Sequence, residues 1–179
     1  MDPLATLQRA IASAIDGLSA EQLAWHPPQK WCAAEILEHL YLTYTGTTKG
    51  FSRVLAAGKP LGGKLTWKNR AQVLIVLGFG YLPAGREAPA HSQPRGLPSQ
   101  QVAAEIASKI AEMDEIIARC QEKFGSRTKI LDHPFLGPFT PSQWRKFHLV
   151  HGLHHVRQIH ALRDQISRHP SSVPALKTQ

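Results

Sequence analysis

Ten histidines stand out in this chain of 179 residues, and their spacing near the C-terminus suggests chemistry. That segment reads Trp144-Arg145-Lys146-Phe147-His148-Leu149-Val150-His151-Gly152-Leu153-His154-His155-Val156-Arg157-Gln158. On a helix turning about 100° per residue, His151 and His155 lie one turn apart on the same face. Two imidazoles at that spacing project in parallel and can converge on one divalent metal ion. Trp144, His148, Ile159, Leu162 and Ile166 fall near the same stripe, so the face looks inward. His160 points away from it as a surface residue, and His154 sits at its edge. Two ligands seldom hold a metal tightly, so a third must come from a facing helix. The candidate is His39, one turn after Glu35 and bordering the apolar positions Ile36 and Leu40. Thr43, Gly46 and Gly50 follow on the same side. A glycine inside a helix costs about 1 kcal/mol relative to alanine, so the two together suggest room kept for a close-packed neighbour or a substrate. Spacing alone leaves open that the pair is merely two buried, hydrogen-bonded histidines, and by the same logic Glu35 and Glu38 read first as solvated charges on a helix face.

Four helical segments must position these side chains, and little in the chain alternates as a strand does. Residues 3–15 form the first, with Leu4, Leu7, Ile11 and Ile15 on one stripe, Asp2 as N-cap and Pro3 at the first helical position. A loop with Trp25, His26 and Trp31 leads to the second, residues 32–57, whose apolar face holds Ile36, Leu40, Tyr44, Phe51 and Val54. Residues 69–82 read as a short buried helix, although a strand would also accommodate them. Residues 83–98, rich in Pro, Gly and Ser, read as an irregular surface connection. The third helix, residues 99–124, has Ser99 as its N-cap and a stripe of Val102, Ile106, Ile110, Met113 and Ile117. A turn-rich stretch follows, containing Asp132-His133-Pro134, and Thr140 then caps a last helix that starts with Pro141 and ends near residue 168. The expected fold is all-α: one four-helix-bundle domain over residues 1–168, a long crossover between helices two and three, and a disordered tail over 169–179.

Composition sets bounds on the rest. An apolar fraction of 42% and a charged fraction of 19% are ordinary for a globular domain. The net charge of +8 is compatible with anionic partners. The basic residues are scattered, however, with no dense block and no aromatic platform, which argues against a nucleic-acid binder. Cys32 and Cys120 stand in no metal-ligand or redox spacing and read as small packing residues. The N-terminus has no signal-peptide pattern, and the longest apolar run, residues 71–82, is too short to span a bilayer, so the expected compartment is the cytoplasm with no membrane partner. Leu149, Leu153 and Val156 form a second apolar strip on the last helix. It packs either on a neighbouring helix or across a two-fold axis, and a homodimer is expected on the second ground.

Two motifs resemble a known family. The segment running from His133-Pro134-Phe135-Leu136-Gly137-Pro138-Phe139-Thr140 through Trp144 to His151, His154, His155 and Gln158 is similar to the DinB-like superfamily. So is Trp31 followed by Glu35-Ile36-Leu37 and His39-Leu40. The resemblance spans nearly the whole chain. It implies a four-helix bundle with an uncommon helix order and a long central connection. It further implies a Zn²⁺ or Ni²⁺ ion held by His39, His151 and His155, with His154 as a non-ligand neighbour. Many relatives have glycine before the glutamine; Arg157 stands there instead.

Three neutral nitrogen ligands leave a coordination position open, as catalytic zinc sites do. An ion held so can ionise water, polarise a carbonyl or convert a thiol to thiolate. The resemblance implies either metal-dependent hydrolysis or thiol-dependent transfer on a small molecule, the latter with a low-molecular-weight thiol as cosubstrate. Two other readings stay open: a binding module in which the metal only fixes the bundle, and a nucleic-acid-associated protein. Around the ligands, Glu35 is a candidate general base or hydrogen-bond acceptor and His148 an auxiliary site residue. Asp132 and His133 lie on a loop that could cover one end of the bundle, Gln158 could orient a ligand, and Trp25, Trp31 and Trp144 are core anchors.

Overall fold

The computed structural model describes residues 2–82 and 87–168, so the expected disordered tail lies outside the described residues. Helix α1 (Pro3–Ile15) starts where the Asp2 carboxylate accepts the Leu4 N–H at 2.9 Å, with proline in the first turn. Leu4, Leu7, Ile11 and Ala14 are its buried stripe. A short helix, α2 (Ala20–Ala24), interrupts the expected loop. Its Ser19–Gln22 capping box was readable in principle, but five residues are too few to show a period. Helix α3 (Ala33–Ala57) follows, with the Glu35 carboxylate accepting the Cys32 N–H at 2.9 Å, and it ends on Gly58 at φ +65°.

Beyond α3, residues 69–82 are helical rather than extended. Helix α4 (Trp67–Val73) passes into a π-helical turn, Leu74–Gly78. The segment is not the buried helix expected: only Val76 and Leu77 of it are buried, while Leu74, Ile75 and Phe79 face outward. Its apolar run wraps all sides of a π-wound turn, so one edge alone reaches the core. A 3₁₀ turn, Ala90–Ser92, precedes α5 (Ser99–Phe124). Ser99 is the first helical residue of α5 and not its N-cap; Pro98 occupies the cap position.

The turn-rich stretch before the last helix contains a small antiparallel hairpin, β1 (Leu131–His133) with β2 (Gly137–Phe139). Strands this short carry no alternation to detect. Helix α6 (Pro141–Arg168) begins at Thr140, whose N–H and hydroxyl bond reciprocally with Gln143 at 3.0 and 3.3 Å.

Helix α3 packs along α5 and α1 along α6, around a core that includes Tyr44, Phe51, Ile110, Met113 and Ile117. Close approach of three helices occurs at Gly152 of α6. A Cβ there would overlap the Leu7 side chain and stand 3.1 Å from the Tyr44 hydroxyl, so only glycine fits without displacement. Of the second apolar strip on α6, Val156 is buried and Leu149 packs against the core, which uses part of it within the chain. Trp144 is buried as expected, and Trp25 and Trp31 pack half-buried on the core. Among the described residues, no helix is long and apolar enough to cross a membrane.

Candidate metal centre

The bundle brings His39 of α3 to His151 and His155 of α6. The Nε2 atoms of His39 and His151 lie 3.3 Å apart, and those of His155 and His151 lie 3.1 Å apart. A tetrahedral zinc bound at about 2.0–2.1 Å separates its nitrogen ligands by about 3.3 Å. The donor set therefore fits a small divalent ion with little rearrangement. No other His, Cys, Asp or Glu joins this group among the described residues.

The far side of two of these rings decides what the near side offers. His39 donates from Nδ1 to the Ser92 carbonyl at 2.8 Å. A carbonyl only accepts, so the proton sits on Nδ1 and the Nε2 lone pair is free. His155 donates from Nδ1 to Gln158 Oε1 at 2.7 Å, and the Gln158 amide N–H reaches His154 Nε2 at 3.2 Å. Its Nε2 is likewise an acceptor. His151 can donate one proton to only one of them, so without a cation at least two lone pairs face each other. Oriented imidazoles of this kind are the usual support of a metal site. The Nδ1 of His151 is buried with no hydrogen-bond partner.

Burial holds all three imidazoles in the neutral form that metal coordination requires. It lowers His39, and it takes His155 down to about 3, helped by the neighbouring His39. His151 lies well below the ordinary value, from burial first and then from His155 and His39. Trp31 lies against His39 with ring centroids 5.3 Å apart, and Phe147 stacks on His151 at 5.3 Å and 10°.

The three nitrogens open onto a cavity of about 1310 Å³ lined by α3, α6, the hairpin and the π-helical turn. Gly46 and Gly50 border it on α3. A Cβ at Gly50 would press on Leu131 at 2.7 Å, while one at Gly46 would meet only His91 at 3.8 Å. Gly50 thus admits a close neighbour and Gly46 leaves open wall.

Of the remaining candidates, Asp132 and His133 line the cavity, whereas Glu35 and His148 do not. Glu35 is not beside the three histidines; it caps α3 and lies 3.6 Å from His26. His148 is fully buried, stacked on Trp144 at 5.7 Å and edge-on to Tyr44 at 5.5 Å, with neither nitrogen hydrogen-bonded. Burial and the nearby His133 take it down to about 3. His133 does line the cavity, and its Nδ1 accepts the Phe135 and Leu136 N–H groups of the hairpin turn. Asp132 accepts the Gly63 N–H at 2.9 Å.

Glu38 corrects the expectation of a solvated helix-face charge. It is 2% exposed, and its carboxylate accepts the N–H groups of Arg95, Gly96 and Leu97 at 2.6, 3.0 and 3.1 Å. It thereby ties down the connection that carries Ser92 onto His39. One signal pointed to it: Glu38 interrupts an otherwise inward run from Ile36 to Leu40, and all five positions are buried. Nothing in the sequence pointed to Ser92, which contributes only its backbone oxygen.

A family model described as the DinB superfamily matches residues 4–159. The chain belongs to the DinB superfamily. Its all-α architecture agrees with that membership. No curated protein and no solved structure matches the chain.

Proposed function

We propose that this DinB-superfamily protein is a metal-dependent enzyme acting on a small molecule, by hydrolysis or by thiol transfer, with Zn²⁺ or Ni²⁺ on His39, His151 and His155. The observation that carries the reading is the convergence of three Nε2 atoms on the wall of a large cavity, with no fourth protein ligand among the described residues. Structural zinc sites are normally closed by four protein ligands, whereas catalytic sites keep a position for water or substrate. Bound there, the ion supplies Lewis acidity that activates a water or a thiol near neutral pH.

The protein's own groups supply the rest. His39, His151 and His155 hold the ion as neutral ligands, and the Ser92 carbonyl and Gln158 keep two of them turned toward it. Trp31 and Phe147 pack against the ligand rings and limit water on that side. The cavity takes the substrate, with apolar contacts from Ile36, Val76 and Leu82 and polar ones from Thr43 and Thr47.

Metal analysis of the purified protein and of His151→Ala/His155→Ala tests the centre. Loss of one equivalent between the wild type and the double variant is the expected result; a double variant that holds as much metal as the wild type sinks it. Turnover of ester, amide and thiol-acceptor panels by the loaded protein, with and without added low-molecular-weight thiols, then tests the enzyme reading. A loaded protein inert in every panel favours the alternative of a metal-stabilised binding module.

A further inference from the structure

A second group of metal-ligating side chains lies apart from the histidine centre, where the loop after α2 meets the start of α3. His26, Cys32 and Glu35 bring an imidazole nitrogen, a thiol sulfur and a carboxylate oxygen within 4.8 Å of one another. The Glu35 carboxylate stands between the other two. Its Oε2 accepts the Cys32 N–H at 2.9 Å and lies 3.6 Å from His26 Nδ1. We propose that these three residues bind a second divalent cation of the zinc type at the protein surface.

Two features support the assignment. The first is the donor set itself: one sulfur, one nitrogen and one oxygen from separate side chains. Thiolate selects soft and borderline ions, and imidazole with carboxylate completes a set that zinc accepts. Three ligands with the His26 side chain 58% exposed leave water in the remaining positions, so the ion exchanges with solvent. The second is the position of the thiol. Cys32 occupies the N-cap of α3, where an oxygen side chain serves best. The chain places oxygen there at α1, α2 and α4, with Asp2, Ser19 and Thr66, while α5 follows Pro98, which has no side-chain oxygen. The Cys32 sulfur faces the Glu35 backbone N–H in the capping box of α3 and at the same time stands within ligand distance of the His26 imidazole and the Glu35 carboxylate.

The proton balance is simple. Burial holds the Cys32 thiol above its ordinary range, and the Glu35 charge adds to this, so the metal-free residue is a protonated thiol. Binding replaces that S–H bond with a sulfur–metal bond and releases the proton to solvent; no electron is transferred.

The two centres are separable by spectroscopy, because the histidine centre contains no sulfur. The experiment titrates the full chain with Co²⁺ and follows absorbance and bound metal together. Two equivalents in the wild type are expected, with a thiolate-to-cobalt charge-transfer band in the near ultraviolet. Cys32→Ser, which keeps a good N-cap, removes the band and one equivalent. His26→Ala, an exposed substitution, weakens the band-forming site at least tenfold. His151→Ala leaves the band in place, so failure of the histidine centre and failure of this one read differently. A cobalt-saturated wild type with no such band, or a band that survives Cys32→Ser, overturns the proposal.

Discussion

His148 and His155 lie two turns apart on the same face of α6, and both are taken down to about 3, chiefly by burial. They nevertheless differ in kind. His155 has its outer nitrogen on Gln158 and its inner one aimed at two other imidazoles. His148 has no hydrogen bond at either nitrogen and is enclosed by Trp144, Tyr44 and Phe147. Burial and a lowered pKa therefore do not mark a ligand. The mark is an oriented ring whose free lone pair meets others. A buried imidazole without such partners is an aromatic plate that leaves two polar atoms unsatisfied, at some cost to stability.

Three experiments break or sharpen this contrast. The largest effect is expected for Glu38→Ala, which removes the support behind His39. Three backbone N–H groups lose a charged acceptor, and stability falls by about 3 kcal/mol, read from urea denaturation. Metal affinity falls as well, because the Ser92 carbonyl is no longer held. Unchanged affinity in a folded Glu38→Ala protein would separate the clamp from the centre.

Among the three converging histidines, Gln158→Ala acts on His155. Loss of the outer hydrogen bond weakens metal binding by about 10–100-fold, measured by competition with a chromophoric chelator. The change is on the surface of α6, where Gln158 is exposed, so helix content and denaturation midpoint stay the same. If affinity holds within twofold, Gln158 is not what orients the ligand.

The smallest effect at neutral pH is expected for His148→Phe. An apolar ring of similar size replaces two unsatisfied nitrogens, so stability at pH 7 stays within about 1 kcal/mol of the wild type or rises. The acid limb shows the difference. The folded-state value of about 3 lies below the ordinary value of 6.5, so between those limits the unfolded chain binds a proton that the folded chain does not. Stability is then lost as pH falls from 6.5 toward 3, by up to about 1.4 kcal/mol per pH unit for one such group. His148→Phe removes that share and flattens the limb, as midpoints at pH 7 and pH 5 will show. An equally steep limb in the variant contradicts the neutral, buried state of His148.

Much of the fold was legible because long amphipathic helices announce themselves. The stripes of α1, α3, α5 and α6 repeat over several turns, and the start signals at Asp2 and Thr140 are local. The elements that escaped are those too short to have a period, α2 and the hairpin strands; residues 69–82 read as a helix, but not as one whose π-helical turn exposes Leu74 and Phe79. At the centre, the i,i+4 pair on α6 could be read directly, and His39 followed from its place beside Ile36 and Leu40. Glu38 was misread as a surface charge although it falls within the inward run from Ile36 to Leu40, because the three N–H groups that its carboxylate accepts come from a distant loop.

The sequence by itself determined the helices, the inward face of α6 and the spacing that lets His151 and His155 share an ion. These follow from interactions within a few turns of one another. Only the tertiary structure decided that His39 stands 3.3 Å from His151, that its outer nitrogen rests on the Ser92 carbonyl, and that His148 is left aside. The residues concerned are 112 and 53 positions apart. One of the contacts is made by a backbone oxygen, which every residue possesses, so no residue code can record it.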